Sequence, residues 1–439
     1  MLALAHSSRR SLVAPSLRAL FRPQSTHSGS STFYGLNPSS SGPSSSSSSI
    51  PISVRGEVVD VGVNLQNARP GDVIEVPYEL TVTEGIKEFW AGAFYCHDRI
   101  STSTPFARKL GLQDQVLPFS LMLFLTGSMS HADSAKVQVS FQNAVYHWPA
   151  FPGDTFTKSF RVRSVRNTAS GNNSIISFDC RLVNQRGRTV MSTDKSMMFD
   201  FRSPQGSGPA VTYPQSSVDE SSVHGASYHT HLLSKSSVLA DLGSHSLKPL
   251  RPGQLLLHTM CRSLSMHQMG QLSSLARLTH ERHFNALKYD PSTQLFVPGG
   301  QVLGLACSAA ARDLHEVLYE SLGSVSFTNN VHPGDTVGAF SFVKHVAETA
   351  SGDMEAIDVV TVGVKNVDVV CALAGKEIPT SLFYKDRREG NKQGMLFTRK
   401  DVEKICRENV GMDVLMDKIV LVAERRIVRQ AAKYQAFLL

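Results

Sequence analysis

Short sequences recur in the same order in the two halves of this 439-residue chain, and that repetition narrows the folds open to it. Arg69-Pro70-Gly71 is answered by Arg251-Pro252-Gly253, and Gln115-Val116-Leu117 by Gln301-Val302-Leu303. Val139-Ser140-Phe141 is answered by Val325-Ser326-Phe327, and Pro152-Gly153-Asp154-Thr155 by Pro333-Gly334-Asp335-Thr336. Gly71 and Gly153 lie 82 positions apart, Gly253 and Gly334 81. A single tetrapeptide is weak evidence; the ordered set at matched spacing indicates an internal duplication, so one unit is used twice.

Each half reads as a buried helix followed by antiparallel strands. Pro118 opens a run to Met129 whose Phe119, Leu121, Met122, Leu123, Phe124 and Leu125 leave almost no polar face. A second such run extends from Gly300 to His315. A helix apolar nearly all round must be enclosed by other structure. After the first Pro-Gly-Asp turn, Phe156, Phe160 and Val162 alternate with polar residues, the mark of a strand leaving a tight turn. Further strands are expected over 174–182 and 189–201, then over 355–370 and 415–428. The predicted class is α+β: two fused units, each an antiparallel sheet wrapped around a central helix. Asp154 and Asp335 read as turn residues.

Composition sets the boundaries. The first fifty residues hold Arg9, Arg10, Arg18 and Arg22, and the first acid is Glu57. That pattern predicts a mitochondrial transit peptide with a serine-rich spacer over residues 1–50, and so the mitochondrial matrix as the location. The units are placed at 51–202 and 246–439, with a polar linker over 203–245. An insertion near 372–412 carries a helix over Arg399 to Glu408. No apolar run approaches the ~18 residues of a membrane span, and no nucleic-acid motif is present. Six cysteines stand singly, without zinc-ligand or disulfide spacing.

The chain resembles the MaoC-like double hot-dog acyl-CoA hydratases over about 60–202 and 248–370. In the first half the matching stretches are Thr81-Val82-Thr83-Glu84, Pro105-Phe106-Ala107-Arg108 and Pro152 to Thr155. In the second they are Phe284-Asn285, Tyr289-Asp290, Pro298-Gly299 with Val302 and Gly304, and Pro333 to Thr336. The resemblance implies two hot-dog domains that add or remove water on a short branched or dicarboxylic enoyl-CoA. An acyl-CoA thioester is then the partner, CoA is part of the substrate, and neither a further cofactor nor a metal is expected. Such chemistry needs an activated water, a proton for the α-carbon, and stabilisation of the enolate oxygen. The resemblance assigns catalysis to His283 and Asn285, and thioester binding to the helix start at Gly299, Gly300 and Gly304. His280 and Lys288 would support them.

The family's Asp-x-Asn-Pro-Ile-His pattern falls, in the first half, on Cys96 to Ser101; Asp98 and Ile100 fit, while Cys96 replaces the acid and Ser101 the histidine. In the second half, counting back from Tyr289-Asp290 puts Lys288 at the histidine position. These departures, with the insertion, support an alternative expectation: a non-catalytic hot-dog subunit of a mitochondrial assembly. Either a homo-oligomer or a larger mitochondrial complex is compatible with the sequence.

Overall fold

The structure is a computed structural model that describes residues 56, 65–76, 78–129, 135–169, 171–207, 227–242, 248–349, 352–384 and 396–432. The predicted leader and the centre of the 203–245 stretch lie outside them. The chain divides at Val59/Asp60, and the following concerns Asp60–Leu439.

The first half contains β1 (Val73–Glu75), β2 (Leu80–Thr81), α1 (Glu84–Phe94), α2 (Arg99–Thr102), α3 (Thr104–Lys109), α4 (Phe119–Gly127), β3 (Ala135–Tyr146), β4 (Thr155–Asn167), β5 (Ser174–Asn184) and β6 (Thr189–Phe199). Two short helices follow, α5 (Tyr228–Ser234) and α6 (Leu239–Leu242). The second half repeats the plan with β7 (Leu255–Ser263), α7 (Met266–Leu275), α8 (Gly299–Ala310), β8 (Val317–Phe327), β9 (Thr336–Glu348), β10 (Met354–Lys365) and β11 (Ile419–Gln430). Helices α9 (Val369–Leu373) and α10 (Arg399–Glu408) lie between β10 and β11. Local chemistry repeats too. Thr83 caps α1 by accepting the Ile86 N–H, and Ser265 caps α7 in a capping box with Gln268.

The strands form one antiparallel sheet in the order β1-β4-β5-β6-β3-β8-β11-β10-β9-β7, with β2 beside β4. Read outward from the β3–β8 join, both halves run in the same order. The join obeys the same repeat: Phe141 pairs with Val325 and Ala144 with Leu322, and a shift of 181 residues exchanges the two pairs. Central helices α4 and α8 pack together closely at Gly300, where a Cβ would stand only 2.8 Å from the Phe124 ring.

The Arg-Pro-Gly and Pro-Gly-Asp echoes are structurally equivalent. Gly71 and Gly253 each donate at 2.8 Å to a mid-strand carbonyl, of Val162 and Val343. Gly153 and Gly334 both have left-handed φ, 94° and 89°. Asp154 Oδ2 accepts the Phe151 N–H and Asp335 Oδ2 the His332 N–H, so both aspartates close turns. The other two echoes are out of step. Gln115–Leu117 precede α4 whereas Gln301–Leu303 lie inside α8. Val139–Phe141 sits mid-strand in β3 whereas Val325–Phe327 ends β8.

At its described ends the 203–245 stretch is packed: Tyr228 and Leu232 are buried, and Tyr228 Oη donates to the Leu318 carbonyl at 2.9 Å. The insertion likewise has a core. Gly363 of β10 faces Ala306 of α8, so Val362 and Val364 point to the opposite sheet face. There they cluster with Leu373, Phe383, Val402 and Cys406.

Candidate active site

The start of α8 opens onto a cavity of about 110 Å³ between the halves. Pro298 begins the helix without a side-chain cap. The amides of Gly299 and Gly300 therefore sit at the positive end of the helix dipole, at the cavity wall. Gln138 lies against Gly299, 3.0 Å from where a Cβ would stand, and its buried Nε2 has no hydrogen-bond partner among the described residues.

His280 and His283 line the same cavity from the turn Glu281–His283. His280 is held at both nitrogens: Nδ1 accepts the Arg282 N–H at 3.1 Å and Nε2 donates to the Ala135 carbonyl at 2.7 Å. His283 Nδ1 donates to the Phe296 carbonyl at 2.8 Å, which leaves Nε2 as the basic lone pair. Burial, reinforced by His280, Lys195 and Arg282, lowers the His283 pKa to about 4 despite the Phe296 bond. At neutral pH its ring is an uncharged base.

The register of this turn corrects the placement of Lys288 at the histidine position. Helices α1 and α7 are each followed by a left-handed residue, Tyr95 (φ 50°) and Arg277 (φ 54°). Three residues later Asp98 and His280 precede equivalent helical turns. Ser101 is therefore matched by His283, so His283 occupies the pattern's histidine position. Lys288 lies on the surface, paired to Glu281 at 2.6 Å. Asn285 does not line the cavity: its Oδ1 accepts the Leu287 and Lys288 amides and its Nδ2 donates to Glu281, a turn-closing role. Gly304 also departs from the thioester-binding expectation. It faces the Phe94 ring, which lies 2.8 Å from where a Cβ would stand, and borders a different cavity.

Sequence reasoning missed Gln138, Asn329 and Lys195, which also line the cavity. Lys195 is buried and donates to the Gly127 carbonyl at 2.6 Å. Lys158 donates to the Ser128 carbonyl at 2.5 Å. Two ammonium groups thus meet the carbonyl end of α4, where positive charge is favoured. Burial lowers Lys195 to about 8 and, with Lys195 nearby, Lys158 to about 7. No carboxylate lines the cavity among the described residues. Its lining therefore favours developing negative charge.

This sheet order, with an inner helix in each half, is a double hot-dog fold. The chain is similar to the mesaconyl-CoA hydratase of Cereibacter sphaeroides, 24% identical over 319 residues that cover 70% of this chain and 90% of that protein. It is also similar to the beta-methylmalyl-CoA dehydratase of Chloroflexus aurantiacus, 23% identical over 309 residues, covering 69% and 88%. A putative MaoC domain dehydratase from Chloroflexus aurantiacus superposes with a TM-score of 0.64 at 19% identity, over 85% of this chain and 99% of its own. A Mycobacterium tuberculosis protein with a double hotdog fold gives 0.58 at 14% identity, over 84% and 99%. No family model matches the chain. No helix among the described residues is long and apolar enough to cross a membrane.

Proposed function

We propose that the chain is an acyl-CoA hydratase/dehydratase working at the start of α8. The observation that carries this is His283, a neutral imidazole with an unengaged Nε2, in one cavity with the uncapped Gly299 and Gly300 amides. In hydration, Nε2 takes a proton from water as its oxygen bonds the β-carbon. The imidazolium then returns that proton to the α-carbon, and the helix amides hold the enolate oxygen between the two steps. The relatives' names point to a branched dicarboxylic acyl group such as mesaconyl, and the buried Lys195 supplies a cation for a distal carboxylate. A matrix location, resting on the Arg-rich and acid-poor leader, belongs to the same proposal.

The test is turnover by the full chain of mesaconyl-CoA and other enoyl-CoA esters, followed at the conjugated thioester. His283→Ala should lower kcat/KM by about 10²–10⁴-fold with the fold intact. Lack of turnover across the panel, with wild type and variant alike, would reject the enzyme. Asn285, expected as the second catalytic group, closes a turn outside the cavity, and this favours the second reading, a non-catalytic hot-dog subunit of a mitochondrial assembly. That reading predicts stable co-purification with a large complex, indifferent to His283→Ala.

A further inference from the structure

A second cavity, of about 80 Å³, lies at the start of α4 and is the counterpart of the first. Pro118 begins α4 as Pro298 begins α8, again without a side-chain cap. Asp98 and Ser101 stand where His280 and His283 stand in the other half. Arg425 stands where Lys195 stands: Lys195 pairs with Phe141 and Phe178, Arg425 with Leu322 and Val359, and each strand partner is displaced by 181 residues. No histidine lines this cavity among the described residues. Ser101 stands in place of the imidazole, whereas an uncapped helix start and a buried cation, here paired with Glu320, recur.

Ser308 of α8 gives independent evidence. It is 1% exposed, borders the cavity, and its Oγ has no hydrogen-bond partner. Its counterpart Ser128 is satisfied, donating to the Phe124 carbonyl at 2.5 Å. A buried hydroxyl without a partner is destabilising, and this one borders the cavity. Arg425 is fixed by Glu320 Oε1 at 2.7 Å and Thr361 Oγ1 at 3.4 Å. Asp98 Oδ1 accepts the Val317 N–H at 2.9 Å. Burial pushes the Asp98 carboxyl up to about 7, with Glu316 and Glu320 adding to the effect. Near neutrality it is partly protonated and able to donate.

We propose that this cavity is a second, non-catalytic binding site for a short carboxylate, held by the first amides of α4, the Ser308 hydroxyl and the Arg425 guanidinium. Two carboxylates also line it, but Glu320 is paired with Arg425 and Asp98 accepts the Val317 N–H; the helix dipole favours an anion, and the cavity's size admits only a few heavy atoms. The proposal is independent of the hydratase reading, since it uses no group at the start of α8.

The test is calorimetric titration of the full chain with propionate and, separately, with propionamide. Propionate should bind to wild type and to His283→Ala equally, and propionamide at least ten-fold more weakly. Ser308→Ala should weaken propionate roughly three- to ten-fold, the value of one hydrogen bond, and Ser308→Thr, which keeps the hydroxyl, should bind more tightly than the alanine variant. Thermal melting of Ser308→Ala at or above the wild-type temperature separates loss of binding from loss of fold. Absence of propionate binding, equal affinity for the amide, insensitivity to Ser308→Ala, or loss of binding in His283→Ala would each overturn the assignment.

Discussion

His280 and His283 share one turn, and their partners divide their roles. His280 spends both nitrogens on backbone and so positions the turn, whereas His283 spends one and keeps the other. The low pKa of His283 has a stability consequence. Above the ordinary histidine pKa of about 6.5 the ring is neutral in both folded and unfolded chains, and its contribution is fully present. As pH falls from there toward about 4, the unfolded chain takes up a proton that the folded one refuses, and stability is lost. The loss approaches the order of 2–3 kcal/mol. Chemical denaturation of wild type and His283→Gln should show their stability difference moving against wild type between pH 7 and 5; a constant difference refutes the shift. A third histidine carries a decoy. His258 bonds Asp313 Oδ2 at 2.7 Å and Ser341 Oγ at 2.9 Å, the order of a hydrolytic triad. Ser341 is fully buried within the sheet and also bonds Thr361, so no substrate reaches it. A fluorophosphonate probe should leave Ser341 unlabelled, and His258→Ala should cost about 1–3 kcal/mol in urea unfolding by orphaning its partners.

At the scale of elements, the site depends on how closely α4 and α8 approach. A Cβ on Gly300 would meet the Phe124 ring at 2.8 Å and the Phe124 Cα at 3.4 Å. The ring is buried and must shift to admit the methyl group. Gly300→Ala should therefore destabilise the protein by about 1–3 kcal/mol and impair any turnover at His283, read by thermal melting and by the enoyl-CoA assay together. Much of this layer was legible in the sequence. The expected strands over 174–182 and 189–201 are β5 and β6, and the expected helix over Arg399–Glu408 is α10, because period-two and capping patterns are local. The two helix runs were overextended, since α4 ends at Gly127 and α8 at Ala310. Register was less legible. The Gln-Val-Leu and Val-Ser-Phe echoes are 186 positions apart, but the fold repeats at about 181. Thr168-Ala169-Ser170-Gly171 and Thr349-Ala350-Ser351-Gly352, which are 181 apart, carried the correct register. With it, Phe141 and Phe178 map to Leu322 and Val359, the strand partners that identify Lys195 and Arg425 as equivalents. Gln138 and Ser308 bear no motif; only the packing of one half against the other gives them a cavity to face.

For the molecule as a whole, the question is whether two repeats make two cooperative units or one. The β3–β8 join continues the sheet without a break, and a single apolar cluster runs through both halves, holding Trp90, Phe94 and Phe124 together with Val302, Leu305 and Leu421. Each cavity also takes walls from both halves: the start of α8 with Lys195, and the start of α4 with Ser308 and Arg425. A half on its own would expose an unpaired strand edge and one side of its inner helix, a state prone to association. One cooperative body is therefore the expected outcome of the duplication. Both tryptophans, Trp90 and Trp148, belong to the first half, which allows a direct measurement. Leu305 is fully buried on α8 in the second half, and Leu305→Ala should cost about 2–5 kcal/mol. If the halves unfold together, the tryptophan fluorescence transition shifts to lower denaturant by the same amount as the far-ultraviolet circular dichroism transition. If they unfold separately, the fluorescence midpoint stays in place while the dichroism splits into two steps, and the single shared core is disproved.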